Sequence, residues 1–183
     1  MNRENEAKQK FKLAISSTVK AVSGEKKLEI KFGGQPSLEK NSLSLPEIIN
    51  LKNYTNIRAF ADSESLKIKY TDRKTYLKNQ PKGDIPKALY AIAEKIRYEK
   101  IGSDELKGIK KNIIKCYEDK FKDKKIEEIK TEADVSITDA FEFYLRSHFF
   151  KIKKNEITKK ILSYWQESFD KRIKKKLREL GSH

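Results

Sequence analysis

Apolar residues recur every three or four positions along most of this chain and alternate with charged residues over only one short stretch. Phe11, Ile15, Val19 and Val22 mark one helical stripe, and Gly24 behind them suits a left-handed C-terminal cap. Leu28, Ile30 and Phe32 then alternate with Glu29 and Lys31, the period of a half-buried strand. Gly33-Gly34-Gln35-Pro36 is turn chemistry. Leu43 and Leu45 offer a short second strand that Pro46 either ends or confines to an edge. The pattern predicts a small β-hairpin at about 27–45 beside the first helix.

From about Tyr54 onward the spacing predicts helix after helix. Asp84 is placed to cap a helix with Pro86 in its first turn and Ile85, Ala88, Leu89, Ile92 and Ile96 as its buried face. Gly102 is expected to interrupt it. Ser103 can then cap a further helix, with Asp104 and Glu105 in its first turn and Leu106, Ile109, Ile113 and Tyr117 as its stripe. Ser136-Ile137-Thr138-Asp139 resembles a capping box with Asp in place of Glu, ahead of Ile137, Phe141, Tyr144, Leu145, Phe149 and Ile152. Ile157, Ile161, Trp165, Phe169, Ile173 and Leu177 fall four apart, so their stripe drifts by about 40° per step around the helix. The fold class expected is mostly α: a multi-helix domain over 1–180 with one small β-hairpin near the N-terminus. Gly181-Ser182-His183 reads as an expression-tag remnant.

Charge sharpens this picture. The chain has 183 residues and a net charge of +15, which raises a nucleic-acid reading. Of the 42 basic residues, 35 are Lys and seven are Arg, and Arg is the planar fork preferred for phosphate and base contacts. There are also 20 Ile against 10 Ala, as AT-rich codons would give, so the excess of Lys is read as largely compositional. Lys171, Arg172, Lys174, Lys175, Lys176 and Arg178 form a basic block near the end. It is either a solvated last turn favoured by the helix dipole or a contact for an acidic protein surface or nucleic acid. No apolar run approaches the ~18 residues that cross a bilayer. Met1 to Lys12 holds no apolar leader core. With Cys116 as its one cysteine, the chain is expected in a reducing cytoplasm.

Several chemistries lack their parts. Cys116, His148 and His183 are the only Cys and His residues, too few and too scattered for a zinc site. No Gly-x-x-x-x-Gly-Lys-Ser/Thr is present to cradle phosphate. Asp62-Ser63-Glu64-Ser65 misses the Asp-x-Ser-x-Ser spacing of an integrin-type metal site and lies in a helical pattern. His148, on an aromatic helix face, reads as a partly buried packing residue, and Cys116 as a small buried hydrophobe. No pattern sets two carboxylates in an apolar pocket.

A further series of residues runs through Phe11-Lys12, Leu28-Glu29-Ile30-Lys31-Phe32 and Leu45-Pro46, then Arg58-Ala59-Phe60-Ala61-Asp62-Ser63 with Leu66, Asp72 and Pro81. Its firmest block is Glu94-Lys95-Ile96-Arg97-Tyr98-Glu99-Lys100-Ile101-Gly102, followed by Gly108-Ile109-Lys110-Lys111-Asn112 and Glu118. From Phe11 to Phe121 this series resembles the N-terminal region of the CobT subunit family of ATP-dependent cobaltochelatases, which act in aerobic cobalamin synthesis and share a block Glu-x-x-Arg-x-Glu-x-Ile-Gly. Two histidines common in the family around Asp72 are replaced by Thr71 and Tyr76, and a helical aspartate of the family is Ala91. No metal or corrin role imagined for those histidines carries over. The family's acidic linker and integrin-type metal-binding domain are also missing, so a truncated version or a short homologue is expected, and the tag-like tail favours truncation.

The resemblance implies a division of labour. An AAA+ partner, CobS, would hydrolyse ATP with Mg, and a large subunit, CobN, would hold the corrin and cobalt. This chain would bind those partners, and possible self-association follows from the same role, with no membrane or nucleic acid expected as a partner. No catalytic, cofactor-binding or metal residues are expected in the chain itself. The motif positions Arg58, Asp62, Glu94, Arg97, Glu99, Gly102 and Asn112 are expected to be structural or to meet a partner. Glu94 and Arg97 either brace their helix as an i,i+3 pair, or Arg97 reaches Asp62 on a neighbouring helix, or these charges face a partner. Arg58 and Asp62 form an i,i+4 pair with the same alternatives. Asn112 is placed to cap or bridge backbone at a helix contact.

Overall fold

A computed structural model of the chain describes residues 3–49, 53–120 and 126–180. Among these the fold is mostly helical, with one small sheet near the N-terminus. It divides into two compact units, 1–78 with 97–116, and 79–96 with 117–183. Two helices change unit along their length, α4 (Asp84–Glu105) at Arg97 and α5 (Lys107–Asp119) at Tyr117.

In the first unit, α1 (Arg3–Ser23) buries Ile15 and Val19, two positions of the predicted stripe. Gly24 ends it with φ 79° and donates its N–H to the Lys20 carbonyl at 3.1 Å, the left-handed cap that only glycine adopts without strain. The sheet contains β1 (Glu29–Phe32), β2 (Ser37–Leu38) and β3 (Ser42–Leu45), in the order β1-β3-β2. The two strands read from sequence are β1 and β3, and they pair in parallel, Ile30 opposite Leu43 and Phe32 opposite Leu45. The hairpin itself lies between β2 and β3, which run antiparallel. Leu43 and Leu45 are fully buried, so β3 takes the central place and β1 and β2 flank it. Gly33 and Gly34, at φ 90° and 120°, turn the chain away from β1 so that it passes over the future site of β3 before returning. Pro46 follows β3 and ends it, as expected. These strands, α1 and α2 (Tyr54–Tyr70) share a core of Ile15, Val19, Leu28, Leu43, Leu45 and Ile57, with Phe11 stacked on Tyr54 at 4.0 Å.

A short helix, α3 (Arg73–Asn79), buries no residue; its start is fixed by Asp72, which accepts the Thr75 N–H at 2.5 Å. α4 departs from expectation twice. It runs through Gly102 to Glu105 without interruption, and Ser103 is a buried residue inside it rather than a cap. Its early face is also less covered than the stripe implied: Ile85 is exposed and Leu89 and Ile92 are half-buried, while Ile96 is buried.

In the second unit, α6 (Ile137–Phe149) and α7 (Glu156–Leu180) pack together. Ser136 caps α6 as predicted, its side chain accepting the Asp139 N–H at 3.4 Å. The helix stops at Phe149, so Ile152 of the predicted stripe is buried from the following loop, which turns at Lys151 with φ 53°. Asn155 caps α7 by accepting the Thr158 N–H at 2.8 Å. Ile161 and Phe169 of the four-residue ladder are buried, and Phe169 meets Phe141, Tyr144 and Trp165 with ring centroids 5.7, 5.2 and 6.0 Å away. Tyr144 donates to Asp170 at 2.8 Å; burial, with that carboxylate beside it, pushes the phenol up to about 12. In the basic block, Lys171 pairs with Glu167 at 2.8 Å and Arg172 is exposed; the side chains from 174 onward lie outside the described residues, as does the 181–183 tail.

Candidate functional site

The motif residues of α2, α4 and α5 that belong to the first unit assemble into a buried polar lock. It begins with Asp62, 1% exposed, on the inward face of α2. Arg58, one turn earlier, donates its Nε to both carboxylate oxygens at 3.0 and 3.2 Å, and Asn112 of α5 donates its side-chain amide to Oδ2 at 2.8 Å. Burial pushes the Asp62 carboxyl above its ordinary value, against the pull of the Asn112 amide and the Arg58 guanidinium. Beside it Ser63, also buried, donates its hydroxyl to Glu99 Oε1 of α4 at 2.5 Å. Glu99 is itself 1% exposed. Two polar bonds therefore tie α2 to α4 and to α5 inside an apolar contact, where each is worth more than at the surface.

Gly102 makes the close approach possible. A Cβ on it would stand 2.1 Å from Leu66 Cδ2, and Leu66 is fully buried. Its role is to leave room for a neighbour within a continuous helix, not to end one. Arg97 is exposed and donates Nη2 to the Tyr70 carbonyl at 2.6 Å, closing the end of α2; the guanidinium beside Asp62 is Arg58. Glu94 is half-buried and belongs to the second unit. The motif thus brings together Arg58, Asp62, Glu99, Gly102 and Asn112 and leaves Arg97 at the rim of α2. Ser63 and Ser65 both sit within α2, Ser65 returning its hydroxyl to the Ala61 carbonyl at 2.6 Å.

A second polar cluster was not foreshadowed. In the second unit Arg146 is 0% exposed, with its guanidinium 3.2 Å from the Tyr117 ring centroid and paired with Glu142 at 3.0 Å. Lys120 reaches Glu142 at 2.8 Å and Asp139 at 3.4 Å. Burial opposes ionisation of Glu142, yet Arg146 and Lys120 hold its carboxyl at about 2. The i,i+4 spacing of Glu142 and Arg146 is visible in sequence, but it looks like any surface pair. His148 is exposed, edge-on to Phe149, rather than a packing residue, and Cys116 is half-buried. Among the described residues no three His, Cys, Asp or Glu side chains gather as metal ligands, and no helix is long and apolar enough to cross a membrane.

No solved structure matches the chain. The family described as cobalamin biosynthesis protein CobT matches residues 5–183, well beyond the stretch to Phe121 in which its motifs are legible. The residues of the polar lock lie within the matched stretch. The chain belongs to the CobT family of cobalamin biosynthesis.

Proposed function

We propose that this chain is a non-catalytic scaffold and coupling domain of the ATP-dependent cobaltochelatase that inserts cobalt into a corrin ring. It works in the cytoplasm beside an AAA+ ATPase subunit and a large corrin-binding subunit. The observation that carries the reading is the fate of the motif residues. Asp62, Glu99, Asn112 and Gly102 are spent on holding α2, α4 and α5 together, with their polar atoms turned inward. A helical body braced in this way suits the passing of conformational work between partners. Coupling of that kind requires only that the domain bind two states of a partner with different affinity.

Isothermal titration of the purified chain with Mg-ATP and with cobalt should show no micromolar binding, while the chain co-migrates with the AAA+ subunit or with itself. Tight nucleotide binding by the chain alone would overturn the assignment. The net charge of +15 favours a second reading, a nucleic-acid-binding helical domain. A salt titration of duplex binding tests it: a steep slope with a sequence or structure preference supports nucleic acid, and weak binding lost by physiological salt indicates the non-specific stickiness of a Lys-rich surface instead.

A further inference from the structure

Several helical lysines sit beside a carboxylate one turn away. Lys8 pairs with Glu4, Lys10 with Glu6, Lys67 with Glu64, Lys100 with Asp104 and Lys159 with Glu156. α5 instead carries four lysines close together with no carboxylate in contact among the described residues. Lys107, Lys110, Lys111 and Lys115 are all exposed, with Lys107, Lys111 and Lys115 on the face opposite its buried Ile109 and Ile113 and Lys110 on the flank. Among the described residues none of the four ammonium groups has an ion-pair or hydrogen-bond partner. Lys107, Lys111 and Lys115 form a single row, each about 6 Å along the axis from the last. The first turn of α5 holds no acidic residue. Like charges four apart repel, and cations at a helix N-terminus oppose its dipole, so this arrangement destabilises its own helix. A local rule broken without compensation inside the fold points to a compensation outside it.

We propose that this lysine row is a docking surface for an acidic helical segment of a partner protein, one carrying carboxylates at i, i+4 and i+8. Such a segment repeats its charges at the same axial spacing and would supply the counter-charges that α5 lacks. The outward arc contains Lys without Arg, and the aromatic Tyr117 is buried. It therefore offers neither the planar fork nor the stacking platform that nucleic acid recruits, which favours an acidic protein. The inference rests on the reading that the domain acts through protein contacts.

The test uses the whole chain and two synthetic helical peptides of equal composition, one with Glu aligned at i, i+4 and i+8 and one with Glu scattered around the helix. Fluorescence anisotropy at about 0.15 M salt should show tighter binding of the aligned peptide. Lys107→Glu with Lys111→Glu should weaken it about tenfold or more. The same pair should hold or raise the thermal midpoint, because it relieves the charge clash at the helix start. Reversing Lys26 and Lys27, exposed near the turn before β1, should leave peptide binding unchanged. Equal loss from that control pair, absence of peptide binding, or tighter binding of a 20-bp duplex that the α5 pair abolishes would each overturn the proposal. If the altered chain keeps its peptide affinity but still associates with the ATPase subunit, only this inference falls. If the unaltered chain fails to associate with any subunit while the aligned peptide binds, only the coupling role falls.

Discussion

The two units bury acidic side chains in contrasting company. In the first, Asp62 meets a neutral amide and one half-buried guanidinium, Glu99 meets a serine hydroxyl, and burial outweighs those partners so that Asp62 holds its proton more readily than in water. In the second, Glu142 lies against Arg146 and Lys120 with Lys95 also in range, and ionises down to about 2. The first arrangement depends on backbone proximity, since short side chains such as Ser63 and Asp62 can meet α4 and α5 only where Gly102 admits Leu66. The second depends on reach, since a long guanidinium stacks on Tyr117 and extends to Glu142. Short-range polar contacts tie helices at a fixed spacing; long charged side chains fill a gap and supply charge together.

Breaking the second arrangement should have the largest effect. Arg146→Ala strips a buried cation from both Glu142 and Tyr117, and should cost on the order of 3–5 kcal/mol in urea unfolding followed through Trp165 fluorescence. Arg146→Met, which restores the packing and leaves the charge unmet, should recover only part of this. A loss below about 1 kcal/mol for the alanine variant would show that Lys120 alone suffices for Glu142.

Acid distinguishes the units next. Glu142 is more acidic when folded, at about 2, than its ordinary 4.5, so unfolding takes up a proton in that window. Stability from this group is complete above 4.5 and drains away as pH falls toward 2, by on the order of 3 kcal/mol. Asp62 has the opposite sense: the folded state binds its proton more readily, so protonation just above its ordinary 3.8 favours folding. Glu142→Gln should be less stable than the parent at pH 7 and approach it only as pH falls to about 2, whereas Asp62→Asn should not flatten the acid limb. Parallel acid limbs for Glu142→Gln and the parent would remove Glu142 as the cause.

The smallest of the three effects concerns the first arrangement. Alanine is normally a better helix former than glycine by about 1 kcal/mol, yet Gly102→Ala should destabilise by roughly 1–3 kcal/mol, because Leu66 cannot yield space without strain. Pairing it with Leu66→Ala should recover a measurable part of the loss in a double-mutant cycle. Strict additivity would mean that the two residues do not press on each other.

The helical class, the first stripe with its Gly24 cap, the alternation in β1 and the Ser136 cap were all legible because each is set by residues within a turn or two of one another. Gly102 was legible as special but misread as a stop, since a glycine that ends a helix and one that admits a neighbour look alike until Leu66 is in place. Ser103 was taken for a cap by the same error. The order of the sheet was hidden because pairing depends on which strand is buried on both faces, and the sequence shows only that Leu43 and Leu45 are apolar. Of the lock, Asp62, Glu99 and Asn112 were singled out through the family motif, but their partners were not: Arg97 was a candidate for Asp62, and Arg58 with Asn112 fills that place. Arg146 was missed altogether. A lone charged residue among aromatics gives no sign of burial until Tyr117 and Glu142 converge on it.

The order of strands also constrains how the chain can assemble. β3 is the last strand made and the middle one in place, so β1 has no partner until the chain beyond it has turned back twice. Until then the strand Glu29–Phe32 keeps its pairing edge open, the kind of bare edge along which separate molecules stick together. A version of the chain lacking Ser42–Leu45 would leave the edge of β1 open permanently, and aggregation during expression is its expected fate.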